Sequence, residues 1–465
     1  MKNRYTALWA ATLTGAVLAA LAPAASASNF QLTEQSVTSL GRAHAGGAAA
    51  AEDSSSIWYN PAGLTQLSDG EIMGGYSLIR FGADFTKTSA TDAFGQNLSG
   101  GEGGSVGKLG GPLFIYYAQP LSHDLTFGFG INTPFGLSTK YDDDSIFRYQ
   151  AIYSSVAVIN YNPTLAWKIN DQWSLGGGID YQTMSVKLTN DIDYGAICFS
   201  QASPVTCTSL GLTPQQHDGF FSADANGHGW GWNLGALFKL NDNNRFGFSY
   251  RSKVKHELSG GASFTNVPGA FATQPQFQDQ SVTADFDSPA MWSLSWAGQL
   301  DDHWTLFGDW SRTMWSSFQN LTINFANTGT RPAVVDEGLS DSNRFAFGAD
   351  YRLNDAWTFR GGLALDLSPV PDPSAPCTST AFNPACTNDV NASRTARLPD
   401  GDRKWISLGV TWRMTEHSQW DLGYAHLFLG SSLAFNQTNA AGDDHIVGTY
   451  QADADILGLS YRYRF

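Results

Sequence analysis

Charge is scarce in this chain of 465 residues: only 15% are Asp, Glu, Lys or Arg, against about 25% in an average soluble domain. Positive charge is scarcer still, with 27 Lys and Arg against 42 Asp and Glu, a formal net charge of −15. No nucleic-acid partner is expected, because such binding needs a basic footprint. Cysteines number four, as two local pairs, Cys198 with Cys207 and Cys377 with Cys386. Neither pair has the CxxC spacing of a metal site, so two local disulfides are the simpler reading for an exported chain, and no metal is expected. Inside the chain no apolar run reaches the ~20 residues of a spanning helix. HExxH and GxSxG are absent. The Gly-rich stretch 100–111 is no phosphate loop, since Glu102 stands where its first Gly belongs and Leu109 follows Lys108. No cofactor is implied and an enzyme is not expected. His426 beside Ser431 suggests a lipid-acting enzyme, but His426 shares a strand face with Trp420, Leu422, Tyr424 and Phe428, which places it at a lipid boundary.

Glycine and aromatics are plentiful, with 48 Gly and 13% Phe, Trp and Tyr. Mean hydropathy is near neutral at −0.22. By length alone this is two to four soluble domains, or one very large sheet. The N-terminus carries Lys2 and Arg4, an apolar run from Ala7 to Ala22, and the small-residue site Ala25-Ser26-Ala27. This is a secretory signal peptide over 1–27, too short and too close to Pro23 for a lasting anchor.

After residue 70 the recurring signal is alternation with period two. Leu457, Leu459, Tyr461, Tyr463 and Phe465 share one face of the last segment, and Gly458, Ser460, Arg462 and Arg464 the other. Segments 244–253, 344–353 and 357–366 alternate in the same way. One face is apolar and the other is Gly, Ser and charge, as a lipid-facing wall around a wet lumen requires. Turn residues bound fourteen strands, near 72–86, 112–121, 125–132, 153–169, 173–189, 230–240, 245–257, 283–299, 304–317, 343–353, 356–367, 404–414, 419–429 and 451–465. Six short turns alternate with seven long loops, at 87–111, 133–152, 190–229, 258–282, 318–342, 368–403 and 430–450. That asymmetry predicts an all-β, fourteen-stranded antiparallel transmembrane barrel over 72–465, in a bacterial outer membrane with both termini periplasmic. Residues 28–71 do not alternate. A lumen this wide leaks unless filled, and Phe30, Leu32, Ile57, Trp58, Tyr59 and Leu64 are costly to leave in water, so the segment is expected inside as a plug.

Several stretches, taken in order, resemble one family, the FadL-type outer-membrane transporters of long-chain fatty acids and other hydrophobic compounds. They are Phe30-Gln31-Leu32 through Ala43, Asn60-Pro61-Ala62, Pro134-Phe135-Gly136-Leu137, Asn243 to Ser252, Trp357 to Arg360, Ser368 to Pro371 and Leu398 to Arg403. The resemblance implies a hatch over 28–71 with Asn60, Pro61 and Ala62 as a rigid turn against the wall. It also implies an apolar groove between outer loops, an inner pocket, and sideways exit where one strand kinks. Loops 190–229 and 258–282 would supply the groove, with Phe199, Leu212, Phe220, Phe221, Val267 and Phe271 as candidates; ordinary loop packing is the alternative. The third strand would kink at Gly128, Gly130 or Pro134, residues able to break a ladder, unless Pro134 is a plain strand end.

A fatty-acid carboxylate in a greasy pocket needs a cation or several donors. Alternation puts Arg251 and Arg360 on the lumen face, with Lys187 a third candidate on the outer half of its strand. A salt-bridged ladder with Asp350 and Asp366 is the competing role. Long-chain members use a basic residue two positions before Lys187, where this chain has Ser185, and relatives carry neutral aromatic hydrocarbons. The expected partners are therefore a long-chain fatty acid or other hydrophobic small molecule, and outer-membrane lipid. Lipopolysaccharide is a further one, bridged by divalent cations at Asp142-Asp143-Asp144 and Asp443-Asp444 unless these runs are simply solvated. The terminal Phe465 suits the barrel-assembly machinery.

Overall fold

The computed structural model describes residues 29–370, 394–438 and 444–465. The expected signal peptide lies outside the described residues. So do Cys377 and Cys386, the pair expected to form a second disulfide.

The strands make one antiparallel sheet that closes on itself, since the first strand pairs with the last from Glu71↔Arg464 to Thr91↔His445. Counted around the wall there are fourteen. They are β1 (Glu71–Thr91), β2 (Leu113–Pro120), β3 (Leu125–Lys140), β4 (Tyr153–Lys168), β5 (Trp173–Asp193), β6 (Asp218–Asn241) and β7 (Asn244–Arg251 with Val254–Thr265). Then come β8 (Gln280–Ser288 with Met291–Gln299), β9 (Trp304–Thr313 with Asn320–Phe325) and β10 (Ala333–Asp336 with Ser342–Arg352). The wall ends with β11 (Trp357–Asp366), β12 (Arg403–Arg413), β13 (Ser418–Thr438) and β14 (His445–Arg464). Among the described residues no helix is long and apolar enough to cross a membrane.

Alternation sets which side chains meet lipid. Leu457, Leu459, Tyr463, Phe345, Phe347, Phe246 and Phe248 point outward and are exposed, whereas Ser460, Arg462, Arg344 and Asp350 point inward and are buried. Many strands run further than their sequence boundaries. β3 passes Pro134 to Lys140, β5 reaches Asp193 and β6 starts at Asp218, and most of the expected loop 430–450 is strand. The reason is an inversion of polarity with height. On β5, Leu175 and Ile179 face outward near the short-turn end, but higher up the outward residues are Ser185 and Lys187 and the buried ones are Met184, Val186 and Leu188. The face is the same and the solvent changes from lipid to water, so a strand that leaves the bilayer looks like a loop when polarity is read against one template.

Residues 29–70 lie inside this wall, as short helices at Val37–Leu40, Gly47–Ala50 and Ser56–Tyr59 and a 3₁₀ helix at Pro61–Gln66. Inward-facing glycines let the segment touch the wall's backbone. A Cβ at Gly247 would sit 1.8 Å from the Ala48 carbonyl oxygen, one at Gly235 1.9 Å from Asn60 Oδ1, and one at Gly362 2.2 Å from the Arg42 backbone. Gly362→Val is therefore expected to leave the barrel assembled but to loosen the segment by about 1–3 kcal/mol, the usual cost of overpacking. Raised conductance in planar bilayers and faster proteolysis of the N-terminal segment would show it, and an unchanged conductance would contradict the fit.

Candidate functional site

The wall has a seam. β2 pairs with β3 from Pro120↔Thr126 only as far as Phe114↔Asn132, and the β3–β4 register shifts between Asn132 and Phe135. Above that point residues 30–32 take the place of β2. Leu32 N–H donates to the Pro134 carbonyl at 2.8 Å, and Gly136 N–H to that of Phe30 at 2.8 Å. Proline brings no amide hydrogen, so Pro134 breaks the ladder to β4 while its carbonyl holds the added strand. Of the three kink candidates, Pro134 alone lies at the break. The ladders run unbroken through Gly128 and Gly130, which instead make room for Ile57.

Phe30, next to that added strand, is 2% exposed. Its ring stands 4.6 Å from Trp315, 5.4 Å from Phe286 and 5.9 Å from Phe135 and Phe318, centroid to centroid. Above this cage the loop-side interior is apolar, with Val186, Leu188, Leu258, Val282 and Ile323 packed around a small gap of about 20 Å³. The aromatic cage has no local sequence signal, because Phe30, Phe135, Phe286 and the turn carrying Trp315 and Phe318 come from separate parts of the chain.

Below the cage the interior is polar and charged. Arg251 pairs with Asp180, donates to the Trp58 carbonyl at 3.0 Å and lies over the Trp58 ring at 4.0 Å. Arg360 meets Asp350 at 3.2 Å and also contacts Thr411, and Asp350 meets Arg42 of the N-terminal segment at 3.1 Å. Both arginines thus sit in ion pairs, and Asp350 is a partner the ladder reading anticipated. Asp366 pairs with Arg403 at 3.3 Å. Lys187 is not on the lumen face: it points outward and is exposed, as is Ser185. The polarity inversion on β5 accounts for that misplacement.

A buried cation that spacing did not single out as a ligand is Arg344. Among the described residues it has no ion-pair partner; it donates to the Ala43 carbonyl at 2.5 Å and stands over the Trp405 ring at 5.2 Å. It lines a cavity of about 80 Å³, partly open to solvent, together with Gln31, His44, Tyr59, Arg251 and Asp309. Nearby in the N-terminal segment Glu34 is wholly buried with neither carboxyl oxygen hydrogen-bonded. Loss of solvent pushes it up from 4.5 to about 7, partly offset by Arg403 and Arg344.

The turn at Asn60-Pro61-Ala62 joins both parts. Asn60 Oδ1 accepts from Ala62 N–H at 3.1 Å, and its amide donates to the carbonyls of Ala48 at 2.6 Å and Ala236 of β6 at 3.0 Å. On the loop side, Cys198 and Cys207 are disulfide-bonded as expected. The other expected bridge, between Cys377 and Cys386, falls on residues outside those described, so only the first of the two pairs is observed. Cys198 and Cys207 pack with Tyr194, Leu212 and Phe271, and with Phe199 and Val267 at the margin, a cluster of the ordinary loop-packing kind given as the alternative to a groove. Phe220 and Phe221 lie on β6 itself, not in a loop, and Phe221 turns toward the inner apolar chamber beside Phe264.

A closed, lipid-faced β-barrel whose lumen is filled by its own N-terminus defines a membrane-spanning channel of the outer-membrane type. A family model described as outer membrane protein transport protein (OMPP1/FadL/TodX) matches residues 18–465, and the chain belongs to that family. It is 27% identical over 456 residues to the long-chain fatty acid transport protein of Escherichia coli K12, covering 94% of each chain. It is also 27% identical over 471 residues to outer membrane protein P1 of Haemophilus influenzae, covering 95% of this chain and 96% of that one. Among solved structures, a FadL homologue of Pseudomonas aeruginosa superposes with a TM-score of 0.81 at 23% identity, over 94% of this chain and all of that one. The toluene transporter TodX of Pseudomonas putida gives 0.64 at 16% identity, over 94% and 99%. At these identities the structural likenesses speak for the fold.

Glu34 gives a pH prediction. Its pKa is raised in the docked segment, so docking is unpenalised below about pH 4.5 and weakens by up to about 3 kcal/mol as pH rises toward 7. Hydrogen exchange of residues 30–45 should speed up over that range in the wild type and stay flat in Glu34→Gln. A wild type as flat as the variant would contradict it.

Proposed function

We propose that the chain takes up long-chain fatty acids, or related hydrophobic compounds, across the outer membrane and releases them sideways through the β2/β3 seam. One observation carries the reading: the cage that holds Phe30 and the seam closed by residues 30–32 are adjacent parts of one strand. A ligand tail entering from the loop-side chamber competes with Phe30 for the cage, and losing Phe30 loosens the strand that closes the wall. The tail then moves from one apolar environment to another, keeping the ~0.8 kcal/mol per CH₂ that water would take away. In this reading residues 28–71 are a movable hatch, both termini are periplasmic, and the loop side faces the lipopolysaccharide layer. Phe465, whose ring stacks 6.2 Å from Tyr117 at the short-turn rim, is presented to the barrel-assembly machinery during insertion. A relative named for long-chain fatty acid transport supports the ligand class.

Arg344, not Arg251 or Arg360, receives the carboxylate, because it alone of the three is without an ion-pair partner among the described residues. In detergent, wild-type protein should bind oleate more tightly than methyl oleate by about tenfold, the ~1.5 kcal/mol of a charge-assisted hydrogen bond, and Arg344→Gln should erase the difference. Equal binding of acid and ester, or a preference for xylene, would favour a channel for neutral hydrocarbons, for which the aromatic cage speaks. A second test addresses the route. Gln31 and Phe135 face each other across the seam, so the double variant Gln31→Cys with Phe135→Cys, once oxidised, should block uptake by whole cells until a reductant is added. Undiminished uptake with the bridge formed would exclude exit at this seam.

A further inference from the structure

His426 of β13 and Asp453 and Asp455 of β14 bring one ligand atom each within 4.8 Å of one another. All three sit on the outward side of the wall. His426 shares that face with Leu422, Tyr424 and Phe428, and the two aspartates share theirs with Leu457 and Leu459, all exposed. The channel reading uses none of the three. His426 Nδ1 lies 2.8 Å from Asp455 Oδ1, and the Tyr424 hydroxyl donates to the same oxygen at 2.7 Å. Across the next ladder Arg80, the register partner of Asp455, reaches its other oxygen at 3.5 Å while staying 70% exposed.

Their height is set by register. Asp455 is ten positions along β14 from the terminal Phe465. At about 3.3 Å per residue and ~40° of tilt, it stands roughly 25 Å above the short-turn rim, the top of the apolar band, where charges on the outer wall become tolerable. One imidazole nitrogen with two carboxylate oxygens is a donor set for a divalent cation of the zinc class. Bonds of about 2.1 Å in a tetrahedron put donor atoms roughly 3.4 Å apart, which this cluster reaches by small side-chain movements. Three protein ligands leave a fourth position open, and the Tyr424 hydroxyl orients Asp455 from outside the shell, as second-shell partners do. The open position faces the headgroup layer beside the free end of Arg80, a cation with the fork geometry for phosphate.

We propose that His426, Asp453 and Asp455 form a divalent-cation site on the outside of the barrel, whose open position takes a phosphate oxygen of a surrounding lipid headgroup. The phosphate half rests on the orientation given under Proposed function; the cation half does not. The test is a titration of the full-length, metal-stripped protein in detergent with Zn²⁺ against a chromophoric chelator. One saturable site is expected, weakened by more than about tenfold in His426→Ala and in Asp455→Asn and unchanged in His417→Ala, which alters an exposed turn histidine. Gel mobility of the unheated protein reports that each variant is folded. Absence of a one-to-one site, or equal binding in His426→Ala and Asp455→Asn, overturns the proposal. A repeat in nanodiscs should show tighter Zn²⁺ binding with phosphorylated lipid A than with its dephosphorylated form, and no such gain from inorganic phosphate in detergent. Equal affinity in both lipids, or the same gain from free phosphate, overturns the headgroup assignment. Failure of oleate to bind would not touch either result, so the two readings fail separately.

Discussion

A wall in lipid cannot leave backbone amides and carbonyls unpaired, and this wall has a place where its own strands fall short. β3 parts from β2 above Asn132, and the groups so exposed are met by residues 30–32. The filler is covalently part of the N-terminal segment, so closing the wall and plugging the lumen are one act. In the proposed sideways route, that coupling is what makes the barrel a gate. A strand held by its neighbours along its whole length would need many bonds broken together, whereas a strand of three residues anchored by one ring gives way to whatever takes the ring's place.

The rest of the interior supports that arrangement in two tiers. Near the short turns, the N-terminal segment is tied to the wall by ion pairs: Arg42 to Asp350, and Arg462 of β14 to Asp53 at 3.5 Å. Glycines such as Gly247 and Gly362 remove the side chains that would hold the two backbones apart. Breaking one partner of a buried pair is strongly destabilising, by about 3–5 kcal/mol, so this tier is fixed. Toward the loops the lining becomes largely aliphatic and aromatic, with fewer charged ties to the segment, such as Asn29 N–H to the Asp400 carboxylate at 3.0 Å. The two ends of the segment therefore differ in the balance of their contacts, with Phe30 on the boundary.

The outer surface follows the same rule of height. Lipid-facing positions nearer the short turns are rich in Leu, Phe, Trp and Tyr, and farther along strands such as β5 the outward residues become polar. The alternation of faces never changes along a strand such as β5; only the solvent on each side does.

That distinction separates what the sequence by itself determined from what it could not. Fourteen strands, their order, their facing in the bilayer and the family were legible, because period-two patterning and short turns are local and the lipid imposes one rule on every strand. The turn Asn60-Pro61-Ala62 and the break at Pro134 were legible too, since proline and asparagine constrain their own backbone. The strand extensions, the outward turn of Lys187 and the pairing of Arg251 with Asp180 were not. Whether an arginine is free depends on which carboxylate stands near it: Asp350 faces Arg360 across one hairpin, but Asp180 reaches Arg251 from two strands away. The Phe30 cage and the added strand belong to the same class. Residues far apart along the chain define them, and only the register of the closed wall, with the N-terminus folded inside it, brings those residues together.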